Sequence, residues 1–239
     1  MMSILRSIYV YANIGLSLLE RGIMLNFYKT KKTKLNKNEY ETMINRIATK
    51  WAKKQLKRTG ARIKVTGLEN IPDCPVVFVS NHQSNVDIAV FLAEIEKNKG
   101  YVAKVEMLKV PFMRDYMKEL NCVFMDRNDM RQSAQTILDA IEIVKNGYSM
   151  VIFPEGTRSK GVRLGEFKAG SLKLATKSRA PIVPVTINGS YKLMEANKNK
   201  IVPADITLTI HPAIETAQIT KEEEAVLVGR VKGIIAGVL

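Results

Sequence analysis

The sequence has few cysteines and lacks the short motifs of several large enzyme classes. Its 239 residues include two cysteines, Cys74 and Cys122, too few and too far apart for a disulfide framework or a CxxC metal site. It contains no GxSxG, Walker A, GxGxxG or HExxH motif, which argues against typical serine hydrolases, P-loop NTPases, Rossmann dehydrogenases and zinc proteases. Glycine (14) and proline (8) are not abundant, so the composition predicts a globular chain, and the length predicts one domain with at most a short appendage.

The positive charge is concentrated near the N-terminus. The chain carries a formal net charge of +14, and residues 1–60 hold 13 Lys/Arg against 3 Asp/Glu, which gives this quarter +10. The remaining 179 residues carry only +4. A basic segment attracts polyanions. Because no nucleic-acid-binding motif follows and the aromatic residues do not alternate with basic ones, we expect an anionic membrane surface as the partner and no nucleic acid.

An apolar run at residues 7–19 is the first candidate for membrane contact. Its 13 residues are fewer than the about 20 that a spanning helix needs. A second apolar piece at 23–28 would extend the span only through Glu20 and Arg21, at a cost. A cleaved secretory signal is the alternative, but no small-x-small cleavage site follows, and the next stretch, 29–37, is strongly basic. Whether this segment spans a bilayer or enters one leaflet stays open at this point.

Residues 38–58 are predicted to form a basic amphipathic helix. Their apolar residues recur at spacings of three and four, which places them on one face, and the lysines and arginines fall largely on the other. The pattern favours a helix at a membrane surface with Trp51 at the headgroup level. The alternative is a two-helix hairpin packed on the domain, with its lysines simply solvated. We therefore divide the chain into a membrane-associated two-helix element at 1–60 and an α/β domain at 61–239.

From residue 61 onward, short apolar runs alternate with segments of helical periodicity. Runs typical of buried strands, such as VVFVS at 76–80 and MVIF at 150–153, are separated by helical stretches. Such alternation predicts an α/β fold with a largely parallel, mixed sheet flanked by helices. Sheets of this kind place function at the carboxyl ends of their strands, so the residues that follow each strand are the candidates for a site.

A histidine and an aspartate follow the strand at 76–80, in the segment NHQSNVD. His82 and Asp87 are five residues apart, a spacing that separates two side chains on one continuous helix but can close across a tight strand-to-helix turn. The carboxylate would then bond one imidazole nitrogen, fix the tautomer and leave the other nitrogen free to take a proton. His211, the only other histidine, has no acid close by in sequence. The alternative is that these are ordinary turn and helix-cap residues.

Three cations follow three other predicted strands. They are Lys104, Arg127 and Arg158. If the strand ends face one mouth, these side chains form an anion site, and the planar fork of arginine suits phosphate. Taken singly, each would be a solvated surface charge. Gly156 lets the backbone approach a ligand closely, and its amide or a neighbour's could stabilise an oxyanion; Glu155 could be a second acid or base but more readily orients a cation or a loop.

Four segments resemble, in sequence and in order, the four blocks of the glycerolipid acyltransferase family. They are NHQSNVD at 81–87, VFMDR at 123–127, FPEGTRS at 153–159 and APIVPV at 180–185. The match is most similar to the bacterial branch that acts on 1-acyl-glycerol 3-phosphate, and it covers about residues 75–190. The resemblance implies transfer of a fatty acyl group from an acyl thioester to the free sn-2 hydroxyl of lysophosphatidate, which gives phosphatidate.

The resemblance also implies a role for each site residue. His82 would deprotonate the acceptor hydroxyl, and Asp87 would orient the imidazole. The acceptor would be bound by a further set of residues, whose basic members would hold its phosphate: Lys104, Arg127, Glu155, Gly156, Thr157 and Arg158. Because a thiolate leaves easily, the reaction needs a placed base and an oxyanion donor, and we expect no metal and no cofactor besides the donor substrate.

Several alternatives stay open on the sequence. The donor would be acyl-coenzyme A or acyl carrier protein, and the acceptor could be another lysolipid or glycerol phosphate. A non-catalytic membrane-binding protein and a thioesterase that uses water are the competing functions. Since the family's N-terminal helices dock on one leaflet, the resemblance implies a monotopic or peripheral protein on the cytoplasmic face of a membrane.

Overall fold

The computed structural model describes residues 2–239 and contains one seven-stranded sheet with helices on both faces. The strands are β1 (Arg62–Thr66), β2 (Val77–Ser80), β3 (Lys99–Lys104), β4 (Val123–Met125), β5 (Ser149–Ile152), β6 (Ile182–Asn188) and β7 (Asp205–Ile210). The helices are α1 (Met2–Lys31), α2 (Lys37–Thr59), α3 (Val86–Glu94), α4 (Met113–Glu119), α5 (Met130–Lys145), α6 (Lys173–Ser178) and α7 (Lys221–Ala236). The alternation of strands and helices that the sequence predicts is confirmed.

The strand order in the sheet is β1-β7-β6-β2-β5-β3-β4. β6 and β7 are antiparallel, and every other neighbouring pair is parallel. The carboxyl ends of β2, β3, β4, β5 and β6 therefore lie at one edge of the sheet, whereas β1 and β7 run the other way. This arrangement confirms the largely parallel mixed sheet, and it brings together the loops that carry the predicted site residues.

The apolar runs of the central strands are explained by burial on both faces of the sheet. All four residues of β2 are buried. Phe78 packs in the cluster that includes α2 and α3, whereas Val77 and Val79 pack on the opposite face, in the cluster that includes α5 and α7. Since helices cover both faces, neither face of this strand carries polar side chains toward solvent, and its sequence does not alternate.

The apolar face of α2 lies in the protein core. Trp51 is partly buried, and its indole N–H donates a hydrogen bond to Ser17 Oγ on α1 at 2.9 Å. The prediction that this apolar face enters a membrane is therefore wrong, and the hairpin packed on the domain is the arrangement observed; contact of the partly buried Trp51 with lipid headgroups stays a prediction. α2 shares its core with the sheet. Residue 60 therefore marks where the charge of the sequence changes, and the division into domains at this residue stays a prediction. The side chains that bury this face are Ile44, Ala48, Ala52 and Leu56.

α1 is longer than the apolar run from which it was predicted. The helix continues to Lys31, so the basic connector is limited to residues 32–36. Among residues 2–239, α1 alone has the length and mean hydropathy to cross a membrane, a property that buried core helices and signal sequences share. Its outward face carries large apolar side chains that are exposed: Leu5, Ile8, Tyr9, Leu16, Leu19, Ile23 and Phe27.

The other face of α1 is attached to the domain near both ends of the helix. Ser7 Oγ accepts a hydrogen bond from the Ile201 amide at 2.8 Å. About six turns further on, the ammonium of Lys29 lies 3.8 Å from the carboxylate of Glu119. Because the contacts extend over most of its length, α1 lies along the domain surface and does not project away from it.

Candidate active site

Two loops at the carboxyl edge of the sheet are joined by hydrogen bonds. His82 lies in the loop after β2, and Glu155 lies in the loop after β5, 73 positions later. The His82 amide donates to Glu155 Oε1 at 2.6 Å, and the Ser159 amide donates to the His82 carbonyl at 2.8 Å. Because β2 and β5 are adjacent parallel strands, the segments NHQSNVD and FPEGTRS form one continuous surface.

His82 and Asp87 are in direct contact. His82 Nδ1 and Asp87 Oδ2 are 2.7 Å apart. Since a carboxylate only accepts, Nδ1 carries the hydrogen, and Nε2 is the nitrogen able to take a proton. Asp87 Oδ2 also accepts the amides of Gln83 and Ser84 at 2.7 and 2.9 Å. These bonds fold the chain back between β2 and α3, and they explain how a spacing of five residues closes.

Phe153 forms one wall around the histidine. Its ring lies against the His82 imidazole, with centroids 4.2 Å apart and planes inclined by 20°. The His82 side chain is 14% exposed and that of Asp87 is fully buried, so the pair is approached from a restricted direction. Phe153 was not predicted as a site residue, because an aromatic residue at the end of a buried strand is typical of an ordinary core.

Glu155 organises the loop after β5 from inside. One carboxylate oxygen accepts the His82 amide, and the other accepts the Gly165 amide at 2.7 Å. A Cβ added to Gly165 would lie 2.6 Å from that oxygen, so the close approach requires glycine. Burial raises the pKa of Glu155, and the two amide donors oppose the rise. Both oxygens are bonded to backbone, which favours a role in orienting the loop; contact of Glu155 with an acceptor stays a prediction.

Gly156 and Arg127 join the loop after β5 to the loop after β4. Gly156 has φ +69°, a left-handed conformation that favours glycine. Its amide donates to the Phe153 carbonyl at 3.0 Å, and its carbonyl accepts a bond from the Arg127 guanidinium. The Gly156 amide is used inside the turn and is not free for an oxyanion in this arrangement, whereas a neighbouring amide as the oxyanion donor stays a prediction. Thr157, the next residue, is exposed.

Arg127 and Lys168 line a narrow cleft at the strand ends. The cleft has an apolar lining from Val102, Met125 and Ile152. Burial lowers the pKa of Arg127, because it removes water from the guanidinium charge. An anion that enters this cleft meets the partly buried Arg127 guanidinium, whose attraction is stronger there than in open solvent, whereas Lys168 is exposed. Lys168 was not among the predicted site residues.

Lys104 lies beside the end of β4, but it is exposed. It is paired with Met125 in the register of β3 and β4, two residues before Arg127. Its ammonium forms an ion pair with Glu106, and its side chain is 54% exposed. The strand ends thus bring Lys104 and Arg127 to neighbouring positions, whereas ligand binding by Lys104 requires it to leave Glu106 and stays a prediction.

Arg158 is bound to a carboxylate that no sequence pattern indicated. Its Nη1 lies 3.0 Å from Oε1 of Glu195, which follows β6 and has a side chain only 3% exposed. The same carboxylate accepts the Ser84 hydroxyl at 2.6 Å and the Asn85 amide at 3.0 Å. Residue 195 lies outside all four blocks, and only the adjacency of β2 and β6 in the sheet brings it here.

The fold and this site define an α/β domain in which a histidine–aspartate pair and several cations are collected at the carboxyl edge of the parallel strands of a mixed sheet. The chain belongs to the Acyltransferase family, whose sequence profile matches residues 62–188, just over half of the chain. The matched range contains the His82–Asp87 pair and the site cations Lys104, Arg127, Arg158 and Lys168, and the resemblance to the glycerolipid acyltransferases is confirmed.

Individual relatives agree with the family match. The chain is 38% identical over 144 residues to a protein of Mycoplasma pneumoniae named "Probable 1-acyl-sn-glycerol-3-phosphate acyltransferase", a match that covers 58% of this chain and 54% of the relative. It is 38% identical over 153 residues to a chloroplastic 1-acyl-sn-glycerol-3-phosphate acyltransferase of Brassica napus, covering 63% of this chain and 44% of the relative. The chain thus spans about half the length of these curated relatives.

One solved structure is similar over nearly the whole chain. It is the crystal structure of the 1-acyl-sn-glycerophosphate acyltransferase PlsC from Thermotoga maritima, with a TM-score of 0.85 and 28% sequence identity. The match covers 99% of this chain and 94% of the other. Because coverage is nearly complete, the similarity includes α1 and α2 as well as the sheet.

Proposed function

We propose that this protein transfers a fatty acyl group from an acyl thioester to the free sn-2 hydroxyl of lysophosphatidate and so forms phosphatidate. The observation that carries the proposal is the 2.7 Å contact between His82 and Asp87, in a loop bonded to the loop of Arg158. The printed names of the relatives support this substrate class, since each describes an acyltransferase acting on 1-acyl-sn-glycerol 3-phosphate or 1-acyl-sn-glycerophosphate.

In the proposed reaction His82 is the general base. Nε2 takes the proton of the sn-2 hydroxyl while the hydroxyl oxygen attacks the carbonyl carbon of the thioester. The tetrahedral intermediate then collapses, the carbon–sulfur bond breaks, and the imidazolium returns the proton to the departing thiolate. Asp87 holds the ring through Nδ1 and stabilises the imidazolium. Proton transfer by a positioned base contributes roughly 10² to 10⁴ in rate.

The proposed acceptor site lies among the cations around the two loops. Arg158 uses one Nη1 hydrogen for Glu195 and keeps the rest of its fork for phosphate oxygens. Arg127 and Lys168 line the adjacent cleft, and Lys104 lies at the neighbouring end of β3. When the phosphate of the acceptor is bound here, its glycerol backbone carries the hydroxyl toward His82.

We also propose that α1 holds the protein on the cytoplasmic face of an anionic membrane and enters only one leaflet. The contacts at Ser7 and Lys29 keep the helix on the domain surface, which opposes a span, while its outward apolar face is left for lipid. Each nearby lysine or arginine adds about 1 kcal/mol of attraction to an anionic leaflet. Both substrates are amphiphiles, so a site at the interface can meet them without extracting them fully into water.

The test is an acyl-transfer assay with radiolabelled lysophosphatidate, run separately with acyl-coenzyme A and with acyl carrier protein as donor. We expect labelled phosphatidate with at least one donor and none from His82→Ala. The matched control is His211→Gln, because His211 is the only other histidine and follows β7, which runs in the opposite direction. This control should keep activity close to that of the wild type.

The same assay separates the competing functions. With the label moved to the acyl group of the donor, labelled free fatty acid in place of labelled phosphatidate would indicate a thioesterase. Liposome binding in a separate flotation measurement, without product from either donor, would indicate a membrane-binding protein. Faster turnover of glycerol 3-phosphate or of another lysolipid would favour a different acceptor in the same family. Wild-type turnover in His82→Ala would rule out the histidine base.

A further inference from the structure

The Glu195 carboxylate lies between two functional segments and is bonded to both. Toward the loop after β5, Oε1 lies 3.0 Å from Arg158 Nη1. Toward the loop after β2, Oε1 accepts the Asn85 amide at 3.0 Å and Oε2 accepts the Ser84 hydroxyl at 2.6 Å. Three donors from two segments that are distant in sequence, residues 84–85 and Arg158, therefore converge on one side chain.

The contacts continue from Glu195 to the histidine. Ser84, whose hydroxyl is bonded to Glu195, donates its amide to Asp87 Oδ2 at 2.9 Å. The same Asp87 oxygen lies 2.7 Å from His82 Nδ1. A displacement of Ser84 would therefore move the carboxylate that holds the imidazole.

Burial makes this connection rigid. The Glu195 side chain is 3% exposed, and a carboxylate so far removed from water is retained only when it is paired and hydrogen-bonded. The Arg158 guanidinium is planar, so a bond to Nη1 constrains the plane of the whole group. Its side chain is 30% exposed, which leaves the remaining N–H groups accessible to an anion.

We infer that Glu195 is a positioning residue that holds the Arg158 guanidinium in register with the His82 loop. The inference rests on the proposed function, in which one acceptor molecule presents its phosphate to Arg158 and its hydroxyl to His82. The glycerol backbone fixes the distance between those two groups, so a misplacement of about 1 Å at either end costs rate. A carboxylate beside Arg158 also repels the phosphate of the acceptor, so Glu195 should not tighten acceptor binding. Its positioning effect should therefore appear in kcat and not as a lower KM.

The test compares wild type, Glu195→Gln, Arg158→Ala and the double variant. Glutamine keeps nearly the same volume and one acceptor oxygen, and it removes the charge that orients Arg158. We expect Glu195→Gln to lower kcat for lysophosphatidate by about tenfold to a hundredfold, with KM changed by less than about threefold. In the Arg158→Ala background the same change should alter kcat by less than about twofold, because no guanidinium is left to position.

A matched control and a stability measurement accompany these variants. Glu166→Gln removes an exposed carboxylate from the same loop as Arg158 and should leave kcat unchanged. An unchanged kcat in Glu195→Gln, or an equal loss of kcat with and without Arg158, would overturn the inference. The inference would also be overturned if every variant with a lower kcat had a melting temperature more than about 5 °C lower, since a purely structural role of Glu195 would then explain the kinetics.

A spectroscopic measurement separates this inference from the proposed function. If the wild type forms no phosphatidate, the proposed function fails, and the His82 ring signal in an NMR spectrum still reports on the connection. The chain has two histidines, so the His82→Ala spectrum assigns the signal. Inorganic phosphate should shift it in the wild type and by less than half as much in Glu195→Gln. Equal shifts in the two proteins would overturn the inference.

Discussion

The ring of Phe153 stacks on the imidazole of His82 with a centroid distance of 4.2 Å. The bond from Nδ1 to Asp87 fixes the direction of the imidazole edge, and the aromatic contact fixes its plane. The nitrogen that we propose as the base is therefore held in place before any substrate binds, and its orientation depends on two separate contacts.

Replacing the aromatic wall should slow the reaction without abolishing it. Phe153→Leu keeps an apolar side chain but loses the flat surface, and aromatic contacts contribute about 0.5–1.5 kcal/mol beyond burial alone. We expect kcat to fall by about threefold to tenfold, measured at saturating lysophosphatidate. The matched control is Phe78→Leu, which alters a ring that contacts Phe91 instead of His82. It should lower the melting temperature but not kcat, and equal kcat in the two variants would contradict the role of Phe153.

Removing the charge of Asp87 should be far more damaging. Asp87 Oδ2 accepts from the His82 ring and from two backbone amides, and an asparagine amide cannot accept all three and stabilise an imidazolium as well. We expect Asp87→Asn to lower kcat by about 10² to 10⁴. The effect should disappear in a His82→Ala background, because groups that act as a unit are not additive. A further multiplicative loss in the double variant would show that Asp87 acts independently of His82.

The sequence predicted the sheet and the histidine–aspartate pair for physical reasons that are local. A continuous apolar run such as VVFVS is stable only where both faces of the strand are buried, and in the structure its last four residues form the buried strand β2. His82 and Asp87 are close enough in sequence for one turn to bring them together. The links to Glu195 and Phe153 depend on which strands are neighbours in the sheet, and a single sequence does not contain that order.

The error over α2 has a different origin. An apolar stripe opposite lysines is the same pattern whether the stripe meets lipid or protein, and the large contact between α2 and α3 was not visible in either segment alone. The Gly156 amide was misjudged for a related reason. Glycine after a strand indicates close backbone approach, but the partner turned out to be the Phe153 carbonyl of the same turn and not a ligand.

The membrane contact proposed for α1 can be tested by introducing one negative charge on its exposed apolar face. Leu16 is 68% exposed on the outward face of α1, so Leu16→Glu should leave folding intact. Burying a leucine contributes about 1.5–3 kcal/mol, and a carboxylate is also repelled by anionic lipid, so we expect flotation with anionic liposomes to fall about tenfold or more. Leu138→Glu, on α5 and 54% exposed, is the control and should still float. Equal flotation of both variants would refute docking through α1.

Lys99 should make the stability of the protein depend on pH. It is 1% exposed in β3, and its Nζ donates to the carbonyls of Ile95 and Lys97. Burial lowers the pKa of Lys99 to about 7, whereas the unfolded chain has a value of about 10.4. Between these values the unfolded state binds a proton that the folded state does not. The free energy of unfolding should therefore rise with pH across this window, and below about pH 7 the destabilisation is complete.

The substitution Lys99→Met removes this titration. The free energy of unfolding is measured with urea at pH 7 and at pH 9. Between these pH values it should rise by about 2 kcal/mol more for the wild type than for Lys99→Met, because only the wild type loses a buried charge as the pH rises. At pH 7 the methionine variant should be the more stable of the two, since it never carries that charge. Lys53→Met, an exposed change on α2, should follow the wild type at both pH values. Parallel pH dependences for wild type and Lys99→Met would mean that Lys99 keeps its proton in the folded state.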